Sequence, residues 1–355
     1  MFEKLKFNMN RVYPALVVST MSSGKSTLIN ALAGKELLPS RNRACTAKAI
    51  AIMDNDRKTS FEIHAVNSDG EYNLIKEASK KKVAQYNDTN ELSEMILEGQ
   101  ISGIKTRKKA LLLVDTPGIN NSMDQNHELI TKEVLEEYNE GLILYVINAQ
   151  QIGTYDDNNF LTYISKKLKD NPQFSIIFVI NKMDLIDPAK EKPEVLISNC
   201  REYIEDKGIE EPIIIPVSAS SALIFKKVLN GERLSELEEE NFTRNYRYFK
   251  QEGYSLVDYC SITRNGNMQD ILVVEGNRYT RAEIMSALHN TGLTILESVI
   301  DETLIYSLKM NTPRIHYEQS GETTKNISSM NQKGKTRKNS KTTKNINAKK
   351  NRSKK

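Results

Sequence analysis

The chain of 355 residues carries three cysteines, Cys45, Cys200 and Cys260, with no Cys-x-x-Cys pair among them. An odd number at wide spacing makes no disulfide framework, which excludes the small stapled secreted scaffolds and fits a cytoplasmic protein. No uninterrupted apolar run reaches the roughly 18 residues of a membrane span, and no leader-like segment opens the chain. Neither a spanning helix nor export is therefore expected. The four histidines show no metal-ligand spacing, and His64, within Phe61-Glu62-Ile63-His64-Ala65-Val66, reads as an ordinary strand residue.

Three short runs stand out, each behind an apolar strand-like segment. Ala15-Leu16-Val17-Val18 leads into Ser22-Ser23-Gly24-Lys25-Ser26-Thr27, after which Leu28, Ile29, Leu32 and Ala33 recur at helical spacing. Backbone N–H groups at that helix start, Ser23 to Thr27, are placed to face phosphates, where unsatisfied donors and the helix dipole favour anions. Lys25 is suited to the β- and γ-phosphates and the Ser26 hydroxyl to Mg2+. The usual first glycine of this loop is missing: Ser19 stands there. A positive φ at Ser19 would cost about 1–2 kcal/mol.

The second run, Asp115-Thr116-Pro117-Gly118, follows Ala110-Leu111-Leu112-Leu113-Val114. A carboxylate ending a buried parallel strand faces the ligand crevice, where Asp115 can hold Mg2+ through a water and the Gly118 N–H can approach a γ-phosphate. The loop from Ile119 to Gln125 would respond to loss of that phosphate. The third run, Asn181-Lys182-Met183-Asp184, follows Ser175-Ile176-Ile177-Phe178-Val179-Ile180. The Asp184 carboxylate offers acceptors only, which suit guanine N1–H and its exocyclic amine, whereas adenine has no donor at N1. The Lys182 stem can cover the base and Asn181 can tie this loop to the first. Val217-Ser218-Ala219 resembles the loop whose backbone amide meets guanine O6. The expected ligands are GTP and GDP with Mg2+.

These residues resemble the GTPase family, and their spacing narrows the resemblance. Thr46, in Arg43-Ala44-Cys45-Thr46-Ala47, matches the switch threonine, and it precedes Asp115 by 69 positions. An insertion of that length, with Ser22-Ser23-Gly24-Lys25-Ser26-Thr27-Leu28-Ile29-Asn30-Ala31-Leu32-Ala33-Gly34, is similar to the bacterial branch of the dynamin superfamily. The resemblance implies an α/β P-loop three-layer sandwich, its mostly parallel sheet covered by helices on both faces, with the insertion between Thr46 and Asp115. It also implies GTP hydrolysis: Ser22 contacting the β–γ region and a monovalent cation, Thr46 orienting water and ligating Mg2+ beside Ser26 and Asp115. Met21 departs from the glutamine of eukaryotic dynamins and cannot position a water well. Slow turnover, or turnover dependent on dimerisation across the nucleotide face, is the expectation.

A GTPase domain over residues 1–310 leaves little for stalk or neck helices, so a homodimer, or a hetero-oligomer with a stalk-bearing dynamin-like partner, is expected. Ser221 to Lys227, Leu234 to Asn241, Arg281 to His289 and Leu293 to Leu308 read as helices, the last closing the domain. Residues 242–275 read as aromatic and mixed, with Asn265-Gly266-Asn267 a turn, and suggest no chemistry. Residues 311–355 read as a disordered basic tail. From Glu318 onward there are 12 Lys/Arg against 2 Asp/Glu, a net of +10, whereas the preceding residues hold 38 against 44, so the overall +4 joins two opposite parts. Such a polycation without aromatics suits an anionic membrane surface, nucleic acid, or solubility alone. Three readings stay open: a dynamin-like GTPase, cytoplasmic or peripheral at a membrane; a ribosome- or RNA-associated assembly GTPase; and a GTP-binding scaffold with negligible turnover.

Overall fold

The computed structural model of the chain describes residues 2, 4–5, 7–20, 22–39, 50–87, 92–105, 108–119, 125–187, 189–251, 254–260, 271–274 and 276–309. Met21, Cys45, Thr46, most of the loop after Ile119, the Asn265-Gly266-Asn267 turn and the 311–355 tail lie outside them.

The apolar runs form strands β1 (Val12–Ser19), β6 (Ala110–Asp115), β7 (Gly141–Asn148), β8 (Phe174–Asn181) and β9 (Ile214–Val217), joined by parallel pairing in the order β6-β1-β7-β8-β9. The numbering between β1 and β6 is taken by β2 (Ile50–Asp54), β3 (Glu62–Asn67), β4 (Tyr72–Ile75) and β5 (Leu92–Gly99). β2 pairs antiparallel with β6 and parallel with β5, and β5 and β4 both pair antiparallel with β3. The long insertion is thus built into the sheet as its outer edge, giving nine strands in the order β4-β3-β5-β2-β6-β1-β7-β8-β9. Every residue of β1 and β7 is buried, and because side chains alternate between faces, both faces of the sheet must be covered.

The covering helices fall into two groups. α1 (Lys25–Ala33) packs on β1 and β6 and against α6 (Ala219–Leu229), which is joined by α7 (Glu236–Lys250), α8 (Arg281–Asn290) and α9 (Leu293–Lys309). α3 (Gln125–Glu137), α4 (Tyr155–Asp170) and α5 (Pro193–Glu205) form the second group, in which Phe160 of α4 stacks on Tyr145 of β7 at 5.7 Å. Helix α2 (Lys80–Asn87) belongs to the insertion and buries Val83. A small antiparallel hairpin, β10 (Ile271–Val274) and β11 (Asn277–Thr280), leads into α8.

Two sequence expectations change here. Helix α7 continues to Lys250 rather than ending near Asn241, because Phe242, Tyr246 and Phe249 recur at helical spacing and are buried. Phe242 meets Phe225 edge-on at 5.6 Å and Tyr279 at 5.2 Å, so the aromatic residues fill a core between α6, α7 and β11. Ser19 ends β1 without a positive φ, so the expected strain does not fall there. It falls on Ser22, at φ 62°, beside Gly24 at 83°.

The C-terminal end of α1 is held by charge. Lys226 of α6 donates to the Leu32 carbonyl at 3.1 Å and forms an ion pair with Glu297 of α9, both side chains being buried. Burial pushes the Glu297 carboxyl up, and the Lys226 ammonium opposes that shift. Asn230 adds a bond to the Gly34 carbonyl at 3.0 Å. Removing one partner of a buried pair strands the other. Glu297→Ala is therefore expected to cost about 3–5 kcal/mol of stability, while the double replacement Lys226→Met with Glu297→Leu recovers most of it. Urea midpoints of the three proteins test this, and a Glu297→Ala midpoint matching the parent contradicts it.

Candidate functional site

The loops after β1, β6, β8 and β9 emerge at the carboxyl edge of the parallel strands, and β1 lies between β6 and β7, where the strand order reverses. In open α/β sheets this is where ligands bind. The first loop turns through Ser22 and Gly24 into α1. A Cβ on Gly24 would lie 2.5 Å from Nδ2 of Asn181, so only glycine permits both the turn and that approach. Ser22 is exposed, whereas Ser23 is buried with its hydroxyl donating inward to the Thr20 carbonyl at 2.9 Å. What Ser23 can offer a ligand is thus its backbone N–H. Lys25, Ser26 and Thr27 form the first turn of α1.

Lys25 and Ser26 converge on Asp115. Nζ of Lys25 lies 3.1 Å from one carboxylate oxygen, and the Ser26 hydroxyl donates to the other at 2.9 Å. A hydroxyl and a carboxylate in contact at the foot of a phosphate-type loop are hard oxygen donors of the kind Mg2+ takes. Thr116, absent from the sequence-predicted set, fixes this corner: its buried hydroxyl donates to the Val17 carbonyl at 2.8 Å. Ile119 N–H donates to the Ser19 carbonyl at 3.1 Å, and Thr131 of α3 holds the Pro117 carbonyl at 2.9 Å. Gly118 lies between these two anchors.

The third and fourth loops are joined through two side chains. The Asn181 amide donates to the Ser23 carbonyl at 2.9 Å, and its Oδ1 accepts from the Ala219 N–H at 3.1 Å. Ala219 N–H is therefore engaged by Asn181 here rather than presented to a base. The Ser218 hydroxyl donates to Asp184 Oδ1 at 2.6 Å and lies 2.7 Å from the Ser221 hydroxyl. Lys182 takes a left-handed conformation, φ 67°, and its stem lies 3.7 Å from the position a Gly24 Cβ would take. Tyr248 of α7, pushed up to about 12 by burial and then by neighbouring groups that include Asp184, belongs to the same surroundings.

Asn30 was also missed. Fully inside α1, it accepts from the Leu37 and Leu38 N–H groups at 2.9 and 2.8 Å and donates to the Leu38 carbonyl at 2.8 Å. An amide among Leu28, Ile29 and Leu32 was the available signal, since a buried amide must find partners. Cys200 and Cys260 are buried thiols, each pushed up to about 12 by desolvation, and suit packing rather than nucleophilic chemistry.

His64 is more than a strand residue. Its ring nitrogens lie 2.8 Å from the Tyr72 hydroxyl and 3.1 Å from Glu98, and ligand atoms of Glu62, His64 and Glu98 all lie within 4.8 Å of one another. The Lys58 ammonium pairs with Glu62 and lies 3.5 Å from Glu98, so the cluster carries its own cation.

The strand order, the Lys25-Ser26-Asp115 corner and the Asn181 tie between the first and fourth loops bring the sequence-predicted residues of three loops to one edge of the sheet. Residues 16–183 match the family model described as the Dynamin family. Over 158 residues the chain is 32% identical to GTPase Era of Borrelia turicatae, covering 44% of this chain and 48% of that one. It is 29% identical over 241 residues to the bacterial dynamin-like protein of Nostoc punctiforme, covering 60% of this chain and 33% of the relative. The chain thus spans about half the length, or less, of these curated relatives. A solved structure of an oligomerised bacterial dynamin pair aligns at a TM-score of 0.44 and 20% identity, covering 68% of this chain and 39% of that one. Among the described residues, no helix is long and apolar enough to cross a membrane.

The Glu98 cluster gives a pH dependence with a definite sign. His64 first, then Asn55 and Lys58, hold the Glu98 carboxyl down at about 2, against an ordinary 4.5. A depressed carboxyl stabilises the fold above its ordinary value and loses that contribution as pH falls toward 2. Between pH 6 and pH 3 the urea midpoint should fall, and Glu98→Gln should flatten that fall. Parallel midpoint curves for parent and variant would refute it.

Proposed function

We propose that this chain binds GTP with Mg2+ and hydrolyses it to GDP and phosphate, in the manner of a dynamin-type GTPase. The observation that carries the reading is the Asn181 amide, which bonds the phosphate-type loop at Ser23 and the Ser218-Ala219 loop at once. A site with that tie has reason to bind one molecule with phosphates at one end and a base at the other.

In this reading the Lys25 ammonium exchanges its Asp115 partner for the β- and γ-phosphate oxygens, and the backbone N–H groups of Ser23 to Thr27 take the remaining phosphate oxygens. Mg2+ would be held by Ser26, Asp115 and Thr46 and supplies neutralisation of the phosphate oxygens. Gly118 approaches the γ-phosphate through its N–H. Water attacks the γ-phosphorus, the bond to the β–γ bridging oxygen breaks, and that oxygen leaves with GDP. Thr46 would orient the water, and Ser22 would contact the β–γ region and hold a charge-compensating monovalent cation. Asp184 accepts from guanine N1–H and the exocyclic amine, with Lys182 over the base and the Ser218-Ala219 loop at O6. A guanine O6 would have to draw the Ala219 N–H from Asn181 or use another amide at the start of α6. The match of residues 16–183 to the Dynamin family model is the support for pairing of two nucleotide faces, with a like chain or a stalk-bearing dynamin-like partner, and for action at a membrane surface. The 1–310 segment is the hydrolytic unit in this reading, and the 311–355 tail its basic tether.

Lys25→Ala should abolish GTP turnover and weaken GTP binding by about a hundredfold or more, since a charge-assisted contact to phosphate is lost. Calorimetric titration and phosphate release measure both, and unchanged values would remove the phosphate assignment. Asp184→Asn replaces an acceptor by a donor, which xanthine's extra carbonyl accepts and guanine's amine does not. Preference should shift from GTP toward XTP in competition binding, and retained GTP preference would place base reading elsewhere.

A further inference from the structure

We propose that the Thr291-Gly292 turn between α8 and α9 is a positioning element for base selection, acting through Ser218 on Asp184. The inference rests on the guanine-reading role given to Asp184 above and adds to it a part of the chain in which no motif lies.

Ser218 is fixed at two points. Its hydroxyl donates to Asp184 Oδ1 at 2.6 Å, and its backbone N–H donates to the Thr291 carbonyl at 3.0 Å. The hydroxyl does not cap α6, although Ser218 stands at the N-cap position of that helix. Thr291 stands at the C-cap of α8, where a helix leaves its last carbonyls without partners of its own. One of these orphan carbonyls therefore meets the residue that orients the base-reading carboxylate.

The turn has little room to move. Thr291 is fully buried, its hydroxyl donates to the Leu288 carbonyl at 2.5 Å, and the Gly292 N–H donates to the His289 carbonyl at 3.0 Å. Asn290 donates to the Phe249 carbonyl at 2.8 Å, which joins the turn to the end of α7. Gly292 has φ 77°, and a Cβ there would lie 2.1 Å from the Pro216 carbonyl oxygen in β9, two residues before Ser218. No side chain fits without displacing that backbone. The path from turn to carboxylate thus runs through one backbone hydrogen bond and one hydroxyl, and none of it touches the phosphate corner at Lys25 and Asp115.

Gly292→Ala should weaken GDP binding at least tenfold while leaving the weak binding of ADP unchanged, so the guanine-to-adenine affinity ratio falls at least tenfold. Gly231→Ala is the matched control: Gly231 also has a positive φ, 73°, but nothing lies within 4 Å of its Cβ position. Both variants carry the cost of a positive φ, but only Gly292→Ala adds the clash with the Pro216 carbonyl, and only it should move the ratio. A loss of stability alone would lower both affinities together or neither. If Gly292→Ala does not fold, Thr291→Gly, which frees the turn without adding atoms, should lower the ratio about threefold. A parental ratio in a folded Gly292→Ala protein, or in Thr291→Gly where that variant carries the test, overturns the proposal, as does an equal fall in Gly231→Ala. A full-length parent that does not prefer GDP to ADP would instead overturn the guanine reading itself.

Discussion

The Asn181 side chain is the constraint on which the arrangement of this molecule turns. Its amide bonds the first loop and its oxygen bonds the start of α6, so two loops 158 and 38 residues away in sequence are held by one planar group. Asn181 is buried, and a buried amide left without partners costs about 1–3 kcal/mol, so neither loop can drift independently without loss. The same amide occupies the space a side chain on Gly24 would need, which makes glycine obligatory there. A contact that looks like a brace also determines one residue of the phosphate-type loop.

Buried charge is used in two ways. Lys226 and Glu297 lie buried among α1, α6 and α9, where Lys226 also holds the Leu32 carbonyl. Lys25 and Asp115 are somewhat more accessible and lie at the open edge of the sheet, where an incoming anion can compete for the ammonium. In the proposed function, identical chemistry serves cohesion in one place and exchange in the other. What separates the two uses is access rather than pair strength, since both pairs face a desolvation penalty that only a replacement partner can offset.

Much of this was legible in the sequence because the central features are local. Each candidate-site loop follows an apolar run that reads as a buried strand, and these loops emerge at the carboxyl edge of the parallel strands. The insertion length was readable, but its place at the sheet edge was not, because antiparallel pairing of β2 with β6 depends on register between distant segments. Glu98 and His64 lie 34 residues apart, and Lys226 and Glu297 lie 71 apart, beyond any periodicity. Helix α7 was cut short for a different reason: its Arg and Tyr content masked an apolar face that Phe242, Tyr246 and Phe249 do define. The Ser19 expectation failed because the loop places its left-handed residue three positions later, at Ser22.

The insertion strands have a kinetic consequence. β4 has four residues, pairs on one side only within the sheet, and leaves Tyr72 and Leu74 about half exposed, whereas β1 is buried throughout and lies five places inward. Local opening free energies follow burial and pairing, so fraying should start at β4 and lose free-energy advantage with each strand toward β1. The loops after β1 and β6 then follow the most slowly exchanging part of the sheet, whereas the Ser218-Ala219 loop follows the other edge strand, β9. Breathing at the rim can proceed while the centre stays closed.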